Sequence, residues 1–252
     1  MSFVDSYPQS EKSKYSQLQS LFTTWKNFLS NNLPEGYAKD DFVSDGFFPY
    51  FTSQKKKILF LGRESIGTSG KNYLEFLKDD LYPKGINGYS FHYLMFYIAY
   101  GLNHNAAAWQ NIPYADDLMK SFCKDDGISF AVMNLSKLAN ECGEWEANNP
   151  VITKFVEESQ KSNVNFFDRE IEIINPDIVV GMNLPACGFD YTKLFSKCKW
   201  IDHIEDDVGI YEITINNEKK ILLDTFHFSA PGKSPEKDIY IPICKALKKI
   251  QL

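Results

Sequence analysis

Cysteine is sparse in this sequence: there are five, Cys123, Cys142, Cys187, Cys198 and Cys244, an odd number with no Cys-x-x-Cys pair. That usage excludes a disulfide framework, predicts reduced and mostly buried thiols, and offers neither a zinc nor an iron–sulfur site. Histidine is scarcer, with four residues, and His92, His104 and His203 lack the spacing to a carboxylate or cysteine that defines a metal site. No apolar run reaches membrane-spanning length, and Asp5, Ser6, Gln9, Ser10 and Glu11 interrupt the first stretch after Met1. Neither a membrane segment nor a secretory leader is expected, and the protein reads as cytoplasmic. Cationic excess is missing too. The formal charge is −6 and the sequence pI about 5.3, so there is no global positive field of the kind many nucleic-acid binders use. The lysine runs at Lys55–Lys57, Lys219–Lys220 and Lys245–Lys249 read as solvated faces. Linkers and repeats are absent.

What is present is ordinary for a globular chain of 252 residues: 44% hydrophobic and 24% charged residues, with 20 Phe and 14 Tyr. Leu18, Leu21, Phe22, Trp25, Phe28 and Leu29 recur at helical steps and predict an amphipathic helix ending near Asn31. With the loop-rich stretch from Leu33 to Ser53, it forms an N-terminal extension, residues 1–53, packed on a single domain spanning 1–252. Three short apolar runs follow, Lys57–Gly62, Ile128–Asn134 and Asp177–Gly181. Each reads as a strand covered on both faces. A crossover helix is expected between the last two, with Pro150 in its first turn, Phe166, Phe167, Ile171 and Ile174 on its stripe, and Asn175-Pro176 as its stop. Tyr211, Ile213 and Ile215 alternate before Asn216-Asn217, and Ile221–Leu223 returns, which predicts a hairpin. Ile239, Ile243, Leu247 and Ile250 mark a closing helix. The sum is an α/β three-layer fold with a short central parallel sheet of about four strands plus a hairpin. Ligands in such folds bind beyond the carboxyl ends of the strands.

Three strand ends carry polar side chains. The first strand runs into Gly62-Arg63-Glu64-Ser65, the second ends in Met133-Asn134, and the last runs into His227-Phe228-Ser229. Singly, each has a structural use: Glu64 as a helix cap, Asn134 as a turn residue, His227 as a donor to a carbonyl and Ser229 as a turn start. The segment Thr68–Lys71 invites comparison with a phosphate loop, but Ser65 and Asn72 stand where that pattern needs glycine and Ser or Thr.

Taken together, an acid after the first strand, an amide after a middle strand and His-x-Ser after the last resemble the motif order of the uracil-DNA glycosylase superfamily, over roughly residues 55 to 250. Gly62-Arg63-Glu64 is similar to its Gly-x-Asp motif, Val132-Met133-Asn134 to its asparagine-ended strand, and His227-Phe228-Ser229 to its His-Pro-Ser. Ser65 and Phe228 replace prolines, Ile66 replaces a base-screening residue, and no leucine wedge stands beside Ala230. The resemblance implies hydrolysis of the N-glycosidic bond of uracil or a related base in DNA, without metal or redox cofactor, after the base leaves the helix. It implies that Glu64 and His227 are catalytic, Glu64 toward water and His227 toward the O2 oxygen of the departing base. Asn134 would read the base edge, Phe91 or Tyr89 would stack on it, Gly62 would permit close approach, and Ser229, with backbone amides near Gly232 to Pro235, would hold a phosphate. The alternatives are a catalytically inactive nucleobase or nucleic-acid binding module of the same fold, and a nucleotide-processing enzyme built on Thr68–Lys71.

Overall fold

The computed structural model describes residues 3–142, 146–205 and 207–250. Its sheet comprises β1 (Gly46–Phe47), β2 (Ile58–Gly62), β3 (Ala131–Asn134), β4 (Ile178–Met182), β5 (Cys198–Ile204), β6 (Val208–Ile215) and β7 (Glu218–Thr225), in the order β1-β3-β2-β4-β7-β6-β5. The helices are α1 (Gln9–Leu29), α2 (Tyr73–Glu75), α3 (Ser90–Asn103), α4 (Ala115–Leu118), α5 (Asn149–Gln160), α6 (Phe166–Ile174), α7 (Tyr191–Leu194) and α8 (Ile241–Lys249). The architecture is mixed α/β. Strands β3, β2, β4 and β7 run parallel, β1 lies antiparallel on β3, and β7-β6-β5 is an antiparallel run.

The sheet is thus larger than four strands plus a hairpin. β7 is at once a parallel neighbour of β4 and the return arm of the hairpin with β6. β1 and β5 extend the sheet to seven strands. β5 escapes the buried-run pattern because it is an edge: Trp200 and Ile201 are 51% and 43% exposed. By contrast β2 and β4 are buried along their whole length, which is why they read as continuous apolar runs. The crossover between β3 and β4 is two helices, not one, each capped by an asparagine side chain: Asn148 accepts from Val151 N and Asn165 from Phe167 N and Asp168 N. The left-handed Asn175 ends α6 (φ 53°), ahead of Pro176.

Helix α1 buries Leu18, Phe22, Trp25 and Leu29 of the expected stripe, while Leu21 is half-buried and Phe28 is 40% exposed. Trp25 stacks on Phe166 at 5.0 Å and donates its indole N–H to Ser159 Oγ at 2.8 Å. Its buried Glu11 accepts from Tyr50 N and Thr52 N (2.8 and 2.6 Å), tying the extension to the turn before β2. A second aromatic cluster joins Phe60 of β2, Phe96 of α3, Phe122 and Phe130. Among the described residues no helix is long and apolar enough to cross a membrane.

Candidate active site

The register decides which strand-end residues are neighbours. Gly62 pairs with Asn134, Leu61 with Gly181 and Met182 with Thr225, so Asn134, Gly62, Met182 and Thr225 form one row across the carboxyl end of the parallel strands. Residues abreast in parallel strands point to the same face. The glycine is required at its place. A Cβ on Gly62 would lie 2.8 Å from Asn134 Oδ1, so the amide of Asn134 leans over the β2 backbone, toward Met182. Asn134 is buried, and its main-chain N–H donates to Asp45 Oδ2 at 2.7 Å. Among the described residues nothing bonds its side-chain amide.

His227 lies two residues beyond Thr225. Its Nδ1 accepts the Ser229 main-chain N–H at 3.2 Å, which leaves the proton of a neutral ring on Nε2. Burial, reinforced by the positive charge of Arg63, pushes its pKa down to about 4, so the ring is neutral at physiological pH. Phe91, on the first turn of α3, lies 5.5 Å from the His227 ring, tilted by 32°, and also contacts Phe228. Tyr89 sits one step outside as the residue before α3, 55% exposed and edge-on to His92. Of the two expected stacking residues, Phe91 is the one beside His227. Ser229 contributes its backbone to the histidine, and its own residue is exposed.

Glu64 faces away from this group. One carboxylate oxygen accepts from Asn148 N at 2.7 Å, anchoring the start of α5, with the Asn140 side chain near enough to add to the effect of hydrogen bonding on its pKa. The other oxygen is buried without a protein partner. Burial raises its pKa, against these hydrogen bonds and the charge of Arg63. The structure therefore brings His227, Phe91 and Ser229 together, sets Asn134 on Gly62, and holds Glu64 on the α5 side of the same loop.

Strand spacing gives the scale of the gap. β3 and β7 are separated by β2 and β4, so Asn134 and His227 start about 14 Å apart at roughly 4.8 Å per strand. Asn134 leans inward over β2, while Phe228 reaches Phe60 of β2 at 5.9 Å and His227 feels Arg63. Both therefore lie at the carboxyl end of the parallel strands, on either side of the β2/β4 boundary. The chain leaves β2 for β3 on one side and β4 for β5, at the far edge, on the other, which makes this boundary the topological switch point, where open α/β sheets bind ligands.

Two expectations about anion binding fail on hydrogen bonding. The amides of the Thr68–Lys71 loop are occupied: Ser69 N donates to Glu141 Oε1, Gly70 N to Asp41 O and Lys71 N to Thr68 O. A carboxylate already stands where a phosphate would bind. Near Gly232 to Pro235 the helical turn does begin, but Ser234 N donates to Asp238 Oδ2 at 2.5 Å and Ser234 Oγ accepts from Lys237 N. The turn caps itself.

Sequence reading missed three features. Arg63, inside the quoted motif, is half-buried and donates to Cys187 Sγ at 3.2 Å across the switch point. Asp224, bonded by the Tyr191 hydroxyl at 2.5 Å and Asn183 N at 3.0 Å, has its pKa pushed up to about 6 by burial. Behind Asn134, Lys137 donates to both oxygens of Asp45 (2.7 and 2.8 Å) and to Glu170 Oε1 (2.8 Å), all three side chains at most 1% exposed. Burial holds the Glu170 carboxyl well above its usual range, against the attraction of Lys137. The only sequence signal for Arg63 is rarity: of 27 cationic side chains, two are arginine, Arg63 and Arg169.

A scan against known protein families finds none that matches the chain, and a search of curated proteins finds no match.

Proposed function

We propose that the chain is a base-excision enzyme of the uracil-DNA glycosylase type, hydrolysing the N-glycosidic bond of uracil or a related base in DNA. One arrangement supports the reading: at the same carboxyl end of the parallel strands lie Asn134, a buried residue whose side-chain amide leans over β2 and bonds no described residue, and His227, a neutral histidine with its proton on Nε2. Asn134 can donate to and accept from one base edge at once, the pattern uracil presents at N3 and O4. Nε2–H of His227 would donate to the O2 oxygen, where negative charge grows as the bond breaks, so its bond strengthens in the transition state. Phe91 would flank the base plane from the His227 side. Glu64 faces away from these residues, so to hold water it would have to turn its unbonded oxygen toward them, and its raised pKa suits an acceptor of a water proton.

A second reading is favoured by the same Glu64. Its bond to Asn148 N anchors α5 and gives the carboxylate a structural use, as in a module that binds a nucleobase without hydrolysis. Product analysis on labelled DNA separates the two. Free uracil with an abasic site establishes the glycosylase, intact DNA retained by the protein establishes the binding module, and neither result removes both.

A further inference from the structure

We infer that Arg63 is an anion-holding residue at the switch point, and that the crevice takes a phosphorylated nucleoside rather than an uncharged base alone. The inference deepens the reading above and rests on it for the base, but not for the anion.

The argument begins with what surrounds the guanidinium. Arg63 follows the last residue of β2, and its side chain reaches Cys187, just beyond β4, so it bridges the two strand ends that define the switch point. Among the described residues, no carboxylate lies within ion-pair distance of it. Its acceptor is a thiol, a weak one, which leaves most of a five-donor planar fork unused. The other arginine, Arg169, is paired with Glu172. Lysines serve everywhere else in the chain, and a lysine would supply the same charge on a flexible stem. An arginine is distinguished by its fixed fork, which fits a phosphate or carboxylate with two parallel hydrogen bonds. Half-buried, with no ion pair among the described residues and only a longer-range interaction with the adjacent Glu64, such a fork gains from an incoming anion.

The alternatives for holding that anion are already filled. The Thr68–Lys71 amides are engaged, one by Glu141, and Asp238 occupies the amide at Ser234. Neighbouring chemistry fits a nucleotide: the charge of Arg63 is felt at the neutral His227, the Phe91 ring flanks that histidine, and these two rings would serve the base, leaving the charge to the arginine. On the loop after β7, Lys233 lies 3.6 Å from the centroid of the Phe226 ring and adds positive charge. A phosphate ester can arrive as a free nucleotide or within a strand, and the guanidinium is suited to both.

Calorimetric titration of the full chain with 2′-deoxyuridine, its 5′-monophosphate, inorganic phosphate and a single-stranded oligonucleotide containing one deoxyuridine tests the inference. The wild type should bind at least one phosphate-bearing probe about tenfold or more tightly than deoxyuridine. Arg63→Met should erase that preference, and Arg63→Lys should restore only part of it, with melting temperatures recorded for both. Preference for the monophosphate points to a free nucleotide, and preference for the oligonucleotide alone points to a strand. Equal affinity for deoxyuridine and every phosphate probe, no binding of any phosphate probe, or full preference retained in folded Arg63→Met overturns it. Release of uracil from the same oligonucleotide is scored separately, so the base-excision reading can fail while the phosphate preference stands.

Discussion

Two cations lie within a few residues of the β2 and β3 ends, and they are treated in opposite ways. Lys137 is wholly buried and makes three charge-assisted bonds to two carboxyl groups, beneath the rings of Phe22 and Trp25 at 5.3 and 5.6 Å. Arg63 is half-buried and bonds a thiol. The first is neutralised within the protein and has no capacity left for a ligand. The second is left for something else to neutralise. Charge at a strand end is therefore informative only once its partners are known.

The largest expected break in this contrast comes from Lys137→Met. It leaves the buried Asp45 carboxylate and Glu170 without their shared cation and should lower unfolding free energy by about 3–5 kcal/mol in denaturant titration. A loss under about 1 kcal/mol would mean that the triad is solvated, not sealed. Arg63→Met should change unfolding free energy far less.

Next in size, His227→Ala should slow single-turnover base release about 10²–10³-fold, the usual consequence of losing one positioned donor. Stability should stay within about 1 kcal/mol. Unchanged release in a folded variant would separate His227 from the chemistry.

Acidification gives an effect of about 2 kcal/mol, allowing for partial exposure. Burial lowers the pKa of His92 to about 4, against 6.5 for the free side chain, so the unfolded chain takes up the proton first as pH falls. Stability from this group is full above about 6.5 and is lost between there and about 4. Asp224 acts with opposite sign, since its raised value of about 6 means a cost above that pH which is relieved below it. The comparison of wild type with His92→Phe isolates the histidine. The variant should lose less stability between pH 7 and 4.5, and parallel curves would show that His92 titrates normally.

The smallest effect, about 1 kcal/mol in stability, is expected for Gly62→Ala. The new methyl must displace Asn134 Oδ1, 2.8 Å from its position, so discrimination between uracil and cytosine should weaken more than folding does. Competition between otherwise identical oligonucleotides reads this, and unaltered discrimination would detach Asn134 from base reading.

The parts legible in the sequence are those whose cause is local. β2, β4 and the stripe of α1 are announced by runs or periods of apolar residues, because each buries a contiguous surface. The Asp45–Lys137–Glu170 triad is not, because its members meet only after residues 45, 137 and 170 are brought together by tertiary packing. Glu64 and Arg63 show a subtler limit. They are neighbours in the chain, yet Glu64 bonds Asn148 at the start of α5 while Arg63 reaches Cys187 beyond β4, so a motif reading that follows the acid passes over the base. Among the strand-end residues, Asn134 and His227 are set at the same end of the sheet by strand register, which is not written in spacing.

The outer strand β5 has a consequence for life at high concentration. A seven-residue edge showing Trp200 and Ile201 to water is a template on which another chain can add a strand. Here the register is broken by a bulge between Trp200 and Asp202, Lys199 is tethered to Glu212, and Asp202 is held by Lys249 from α8. A kinked ladder studded with fixed charges is a poor seat for an incoming strand, so straightening it or replacing Lys199 and Asp202 with apolar residues should promote concentration-dependent aggregation.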